Sequence, residues 1–222
     1  MRTPTIKLGL WSAVGAALLL ACPPVVAAQE QDRQLRPDTL PAEALADWFV
    51  ESRDLPRADS QRSMVEGVVH RAMGIPGDPR AEAVRTRLVD EMEATRELGW
   101  FIQCASFVLR HARTNPEWEP DTRALALRYI DGPDEEKRDA MFRVVGSLGS
   151  PETRAAAVPF ASALLEAVPP HDFRQLRVVG GHLVRLGEPG REELDRLMEE
   201  GRLPESFVNW IRWTRGEGPG SG

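Results

Sequence analysis

Four histidines, adjacent glutamates near two helix starts and the cysteine beyond the leader are the side chains of this sequence whose types suit chemistry. The histidines are His70, His111, His171 and His182, the acid pairs are Glu135-Glu136 and Glu192-Glu193, and the cysteine is Cys104. A metal site needs about three nitrogen, sulfur or carboxylate ligands converging on one ion. His70, His111 and His182 each fall late in the second helix of a helix pair, so a regular stack of pairs sets them in one column. Packed helices lie about 8–10 Å apart, and histidines two repeats apart cannot share an ion. The expectation is partly buried histidines with local partners, His171 beside a helix start, and no metal or cofactor. Paired carboxylates are the groups a hydrolase uses as acid and base, but both pairs fall in first helical turns, where acids interact favourably with the helix dipole. Cys104, in WFIQCASFVL, reads as a small buried apolar side chain. The sequence has no Gly-rich phosphate loop, CxxC, HExxH or GxSxG, so no catalytic residue is assigned and no enzyme is expected.

The basic side chains are almost all arginine, with Lys137 the only lysine after residue 28. Arg71, Arg110, Arg143, Arg177 and Arg212 suggest a strip for carboxylate or phosphate. They share no register relative to the Leu-Gly stops described below, and ordinary solvated positions are expected. Trp118, in NPEWEP, and Trp213, off the apolar face of the last helix, are the best candidates to touch a partner, although packing against a neighbouring loop is the stronger expectation for both.

The elements that position these residues follow from a pattern stated twice. DEEKRDAMFRVVGSLG (134–149) opens with charge, presents Met141, Val144, Val145 and Leu148 on one face, and stops at Gly149 before Ser-Pro. HDFRQLRVVGGHLVRLG (171–187) does the same with Leu176, Val179, Leu183 and Leu186, stopping at Gly187 before Glu-Pro. The FRVVG and LRVVG runs lie 34 residues apart and the Leu-Gly stops 38 apart, a period that means stacked helix pairs. From Pro41 the apolar spacing predicts helices at 41–52, 59–73, 79–93, 96–113, a short one ending at Ile130 with Leu127 and Ile130 inward, then 134–149, 151–168, 171–187, 189–200 and 204–215. The boundary at 94–98 is weak enough that a kinked continuous helix is an alternative. Pro159 is expected to kink or break its helix, and Gly180-Gly181 to permit close helix packing. Proline at the first helical position recurs because its missing N–H costs nothing there. No usable stretch alternates with period two. The fold class expected is all-α: a solenoid of about five antiparallel helix pairs over residues 41–215, with capping terminal pairs. Trp48, Trp210 and Trp213 fit that capping demand.

At 222 residues and net charge −6, the chain is long enough for one sizeable core. Acidity argues against nucleic acid, whose binding needs a basic footprint. Residues 1–28 read as a signal peptide: basic Arg2 and Lys7, an apolar core from Leu8 to Ala21 too short to span a bilayer comfortably, and Val26-Ala27-Ala28 as cleavage site before Gln29. Cleavage there leaves one cysteine and no internal disulfide. Leu19-Leu20-Ala21-Cys22 also resembles a bacterial lipobox, which makes Cys22 a candidate lipid-attachment site. Residues 29–40 read as a polar linker and 216–222 as a disordered tail.

The runs DGPDEEKRDAMFRVVGSLGSPETRAAAVP, PPHDFRQLRVVGGHLVRLGEPGREELDRLM and, more faintly, ADSQRSMVEGVVHRAMGIPGDPRAEAVRTRL resemble HEAT-type repeats of the bacterial, phycobilisome-lyase-like kind. The resemblance covers most of 57–201 and is poor over 94–130. The family's turn-aspartate to helix-arginine ladder is irregular here, at Asp59 to Arg62, Asp134 to Arg138 and Asp172 to Arg174. The resemblance implies a right-handed solenoid with a protein-interaction or scaffolding surface; together with the leader, the expectation is a non-enzymatic module of the bacterial envelope or exterior, periplasmic or secreted, or lipid-anchored. The alternative it carries is a small-molecule-binding or lyase/chaperone-type protein working through the concave face.

Overall fold

The computed structural model describes residues 40–56 and 58–215. The signal peptide, the lipobox cysteine Cys22, the Ala28-Gln29 junction, the linker to Thr39 and the tail from Gly216 lie outside the described residues. The described residues from Pro41 to Arg215 belong to one compact unit, and among the described residues the chain is all-helical with no strand. The helices are α1 (Ala42–Glu51), α2 (Ser60–Gly74), α3 (Pro79–Ala94), α4 (Leu98–Ala112), α5 (Glu119–Ile130), α6 (Glu135–Leu148), α7 (Pro151–Ala167), α8 (Phe173–Arg185), α9 (Glu188–Glu199) and α10 (Glu205–Thr214).

Side-chain caps begin half of them. Asp59 accepts from the Gln61 amide, Asp78 from that of Arg80, Asp134 from Lys137, Ser150 from Thr153 and Asp172 from Gln175, each satisfying one of the first orphan N–H groups. Pro79, Pro120, Pro151 and Pro189 occupy first-turn positions. The apolar faces read from spacing are the faces that pack: Leu45 and Phe49, Val65, Val68 and Val69, Val84, Leu88 and Met92, Met141 and Val145, Leu176 and Leu183 are all buried.

From α1 to α9 each helix packs on the next, and most next-but-one helices pack as well. α1 packs on α3, α5 on α7 and α7 on α9 in one row, while α2, α4, α6, α8 and α10 pack in sequence in the other. Glycines set several of these approaches. A Cβ at Gly146 would lie 2.6 Å from the Arg185 carbonyl, one at Gly180 2.5 Å from the Phe207 ring, and one at Gly190 2.0 Å from the Leu183 carbonyl. Gly187, at φ +82°, makes the turn from α8 to α9 in a conformation that needs glycine.

The odd row is interrupted between α3 and α5, where the repeat pattern is faintest. There the link is made by side chains: the Arg85 guanidinium lies 5.4 Å over the Trp118 ring and pairs with Asp121, and Arg128 pairs with Glu93. Helix α5 is turned from its expected face. Thr122, Leu125, Ala126 and Ile130 are its buried residues and Leu127 is only half-buried, because a 3₁₀ turn (Pro116–Trp118) leads straight into it. The chain between α3 and α4 breaks rather than kinks, with Thr95 Oγ1 accepting from the Glu97 amide. Helix α7 runs through Pro159 without a break. Pro159 and Ala155 are exposed, so the carbonyl that loses its partner to the proline faces water.

Candidate functional site

Arg62, in the first turn of α2, is the buried anchor of a polar cluster between α2 and α4. Its Nε donates to Glu66 Oε1 one turn on at 3.1 Å, Nη1 to the Leu55 carbonyl at 2.9 Å, and Nη2 to Gln103 Oε1 of α4 at 2.7 Å. Gln103 Nε2 closes the ring by donating to Glu66 Oε1 at 2.7 Å. One further turn along α2, His70 stands with Nδ1 2.8 Å from His111 Nε2 of α4, its ring stacked on Phe107 with centroids 4.1 Å apart. Arg62, Glu66, His70, Gln103 and Phe107 line a cleft of about 420 Å³ together with Ile102, Ser106 and Arg110, within the size range of ligand sites. Among the described residues no carboxylate pairs with Arg110, which is exposed at the rim.

Burial holds both imidazoles below their ordinary pKa, and Arg110 lowers them further. His70 is moved down against the pull of Glu66, and His111 is pushed down to about 4 by burial, His70 and Arg110 in that order. Both are neutral near pH 7, with one proton shared between them. His111 Nδ1 is buried without a partner.

A second cleft, of about 510 Å³, opens between α6 and α8 over the end of α7. It is walled by Val178, Val179, Leu164 and Val168 and edged by Arg138, Asp139 and Arg174. His182 Nε2 lies 3.1 Å from Asp139 Oδ1, and its ring is stacked on Phe142 at 4.4 Å. Burial lowers the His182 pKa although the Asp139 carboxylate pulls it up, and its Nδ1 is buried without a partner.

The expected column of histidines is therefore two separate constructions. His70 and His111 touch directly, which spacing alone did not disclose, and His111 and His182 are buried more deeply than expected. His171 precedes the α8 cap Asp172 and is exposed. Among the described residues no three His, Cys, Asp or Glu side chains converge as a metal site. The two acid pairs lie on separate helices. Glu135 pairs with Arg138, while Glu193 accepts from Ser162 Oγ and Arg196. Cys104 is fully buried, and burial pushes its thiol pKa far above the ordinary range. Of the five arginines, Arg110 lines the first cleft, Arg143 donates to the Asp139 carbonyl and Arg177 lies over Trp210; Arg71 and Arg212 are exposed and line neither cleft.

The two tryptophans expected at a partner surface differ. Trp213 is 71 % exposed. Trp118 is buried, because its ring fills the gap between α3 and α5 beneath Arg85, and it offers no outward face. The exposed large apolar side chains are otherwise Met64, Ile75, Phe173, Val178 and Val184. Met64 lies on α2, Phe173, Val178 and Val184 on α8, and Trp213 on α10, while Ile75 directly follows α2. Among the described residues none lies on an odd-numbered helix. No helix among the described residues is long and apolar enough to cross a membrane.

No protein-family model, curated protein or solved structure matches this chain.

Proposed function

We propose that this protein is an exported, right-handed HEAT-like α-solenoid that works as a non-enzymatic recognition module, binding a protein partner through its even-numbered helices. The observation that carries this reading is that, on the described helices, the exposed large apolar side chains all lie on the even-numbered α2, α8 and α10. Exposed apolar groups clustered on one part of a surface and rimmed by polar residues mark interaction sites. Both clefts lie along the same helices, and Phe-stacked histidines order their walls. Helices packed in two rows support the solenoid, and the N-terminal composition supports export, with cleavage before Gln29 or acylation at Cys22.

The size of the α2–α4 and α6–α8 clefts favours a second reading, a small-molecule-binding or lyase/chaperone-type protein. Affinity capture from envelope extract, joined to intact-mass analysis of the recovered bait, separates the two. The first reading expects a saturable protein partner lost on mutation of exposed even-row residues such as Trp213, and a bait starting at Gln29 or at acylated Cys22. A co-purifying small molecule with no protein partner supports the second reading, and an unprocessed bait in the cytoplasm contradicts export.

A further inference from the structure

The hydrogen bond between His70 and His111 fixes what the α2–α4 cleft offers to a ligand. If His70 Nδ1–H were the donor, His111 would carry its own proton on Nδ1, a buried N–H with no partner. Unpaired buried donors are rarer than under-used acceptors, and each costs its full desolvation. The proton therefore sits on His111 Nε2 and is donated to His70 Nδ1 across 2.8 Å. His70 then carries its proton on Nε2, the nitrogen left for the cleft it lines. Stacking on Phe107 holds this ring in place. The only carboxylate in the cleft wall, Glu66, already accepts from Arg62 and Gln103, and the Ser106 hydroxyl donates to the Ile102 carbonyl at 2.7 Å. Arg110, exposed and without an ion pair among the described residues, and the His70 Nε2–H are thus both donors, and together they carry one positive charge.

We propose that the cleft between α2 and α4 binds a carboxylate, with Arg110 as its cation and His70 Nε2–H as its second donor. One guanidinium beside a neutral imidazole balances a single negative charge; a phosphate dianion calls for more cations than this cleft has free. Ile102 and Phe107 supply an apolar wall for the carbon chain that bears the carboxylate. The proposal rests on the reading of the even-numbered helices as the recognition face. It names the group that face recognises, on a free organic acid or on an acidic side chain of a partner protein.

The test is a titration of the full chain at pH 7, following the imidazole signals by NMR, with butyrate and with the uncharged isostere butyramide. Butyrate is expected to move the His70 signals saturably and butyramide to leave them in place. Arg110→Gln, at an exposed position, is expected to weaken butyrate binding by about tenfold or more, the loss of a charge-assisted contact. Equal shifts with both probes, or undiminished binding to Arg110→Gln, would overturn the proposal. A blocked Ala-Glu-Ala peptide separates the sources. Tighter binding than butyrate identifies a protein carboxylate. Butyrate binding without peptide binding keeps the carboxylate site and assigns it to a free organic acid. A partner captured elsewhere, with the His70 signals unmoved by any carboxylate, keeps that reading and removes this site.

Discussion

His182 Nε2 of α8 lies 3.1 Å from Asp139 Oδ1 of α6, with its ring flat on Phe142. Four helices earlier, His70 of α2 bonds His111 of α4 and lies on Phe107. In both places an imidazole ties neighbouring even-numbered helices together while an aromatic ring fixes its plane. The even row is thus pinned by groups that must stay neutral to remain buried.

Stability should therefore fall in mild acid. His70, His111 and His182 all have folded pKa values below their unfolded value, so the unfolded chain takes up more protons as the pH drops. Their contribution is complete above about pH 6.5 and is lost as the pH falls toward the folded values, about 4 for His111. Asp78 and Glu193 are held below ordinary carboxylate values by arginine partners, and their contribution disappears only below about pH 4. Thermal unfolding between pH 7.5 and 4.5 should show a midpoint that declines below 6.5, with a shallower decline in His111→Gln. A flat profile would mean the imidazoles do not discriminate between the states.

Two glycines should respond oppositely to alanine. At Gly190 the new Cβ would meet the Leu183 carbonyl at 2.0 Å, and at Gly67 it would meet nothing within 4 Å. Gly190→Ala forces α8 and α9 apart and should cost about 2–4 kcal/mol. Gly67→Ala, inside α2 and unobstructed, should stabilise by about 0.5–1 kcal/mol. Denaturant midpoints at constant m-value measure both.

Leu183 is fully buried, and Leu183→Ala should cost about 2–5 kcal/mol. A loss under about half a kcal/mol would mean that the residue does not face the core.

Glu91 is a nearly buried carboxylate that accepts from Trp100 Nε1 at 3.0 Å and lies beside Arg53 and Arg87. Trp100→Phe keeps the ring and removes the donor, at an expected cost of about 1–3 kcal/mol. Glu91→Gln in the same background tests the source of that cost. Weak coupling between the two changes in a double-mutant cycle would assign the loss to packing of the indole instead.

The helices were legible because their signals are local. The turn aspartates Asp59, Asp134 and Asp172 lie just before helix starts and cap them, and Val84, Leu88 and Met92, four residues apart, mark a buried face. The face of α5 was misread because a 3₁₀ turn leads straight into the helix and sets its rotation, and the seat of Trp118 beneath Arg85 is a tertiary relation with no local mark. Pro159 was expected to kink or break α7, yet the helix continues there because the exposed side can hydrate a freed carbonyl. The candidate site was the least legible part. His70 and His111 are 41 residues apart, and their contact depends on the axial offset of α2 against α4, which a repeat period of mixed length does not fix. The stacking of Phe107 and Phe142 under the histidines was equally hidden, since both phenylalanines also read as ordinary core.

The account is tested most directly by hydrogen exchange of the chain alone and in complex with its captured partner. It predicts added protection on α2, α4, α6, α8 and α10, strongest along the cleft edges near Arg110, Val178 and Trp213. Protection confined to the odd-numbered helices would contradict it.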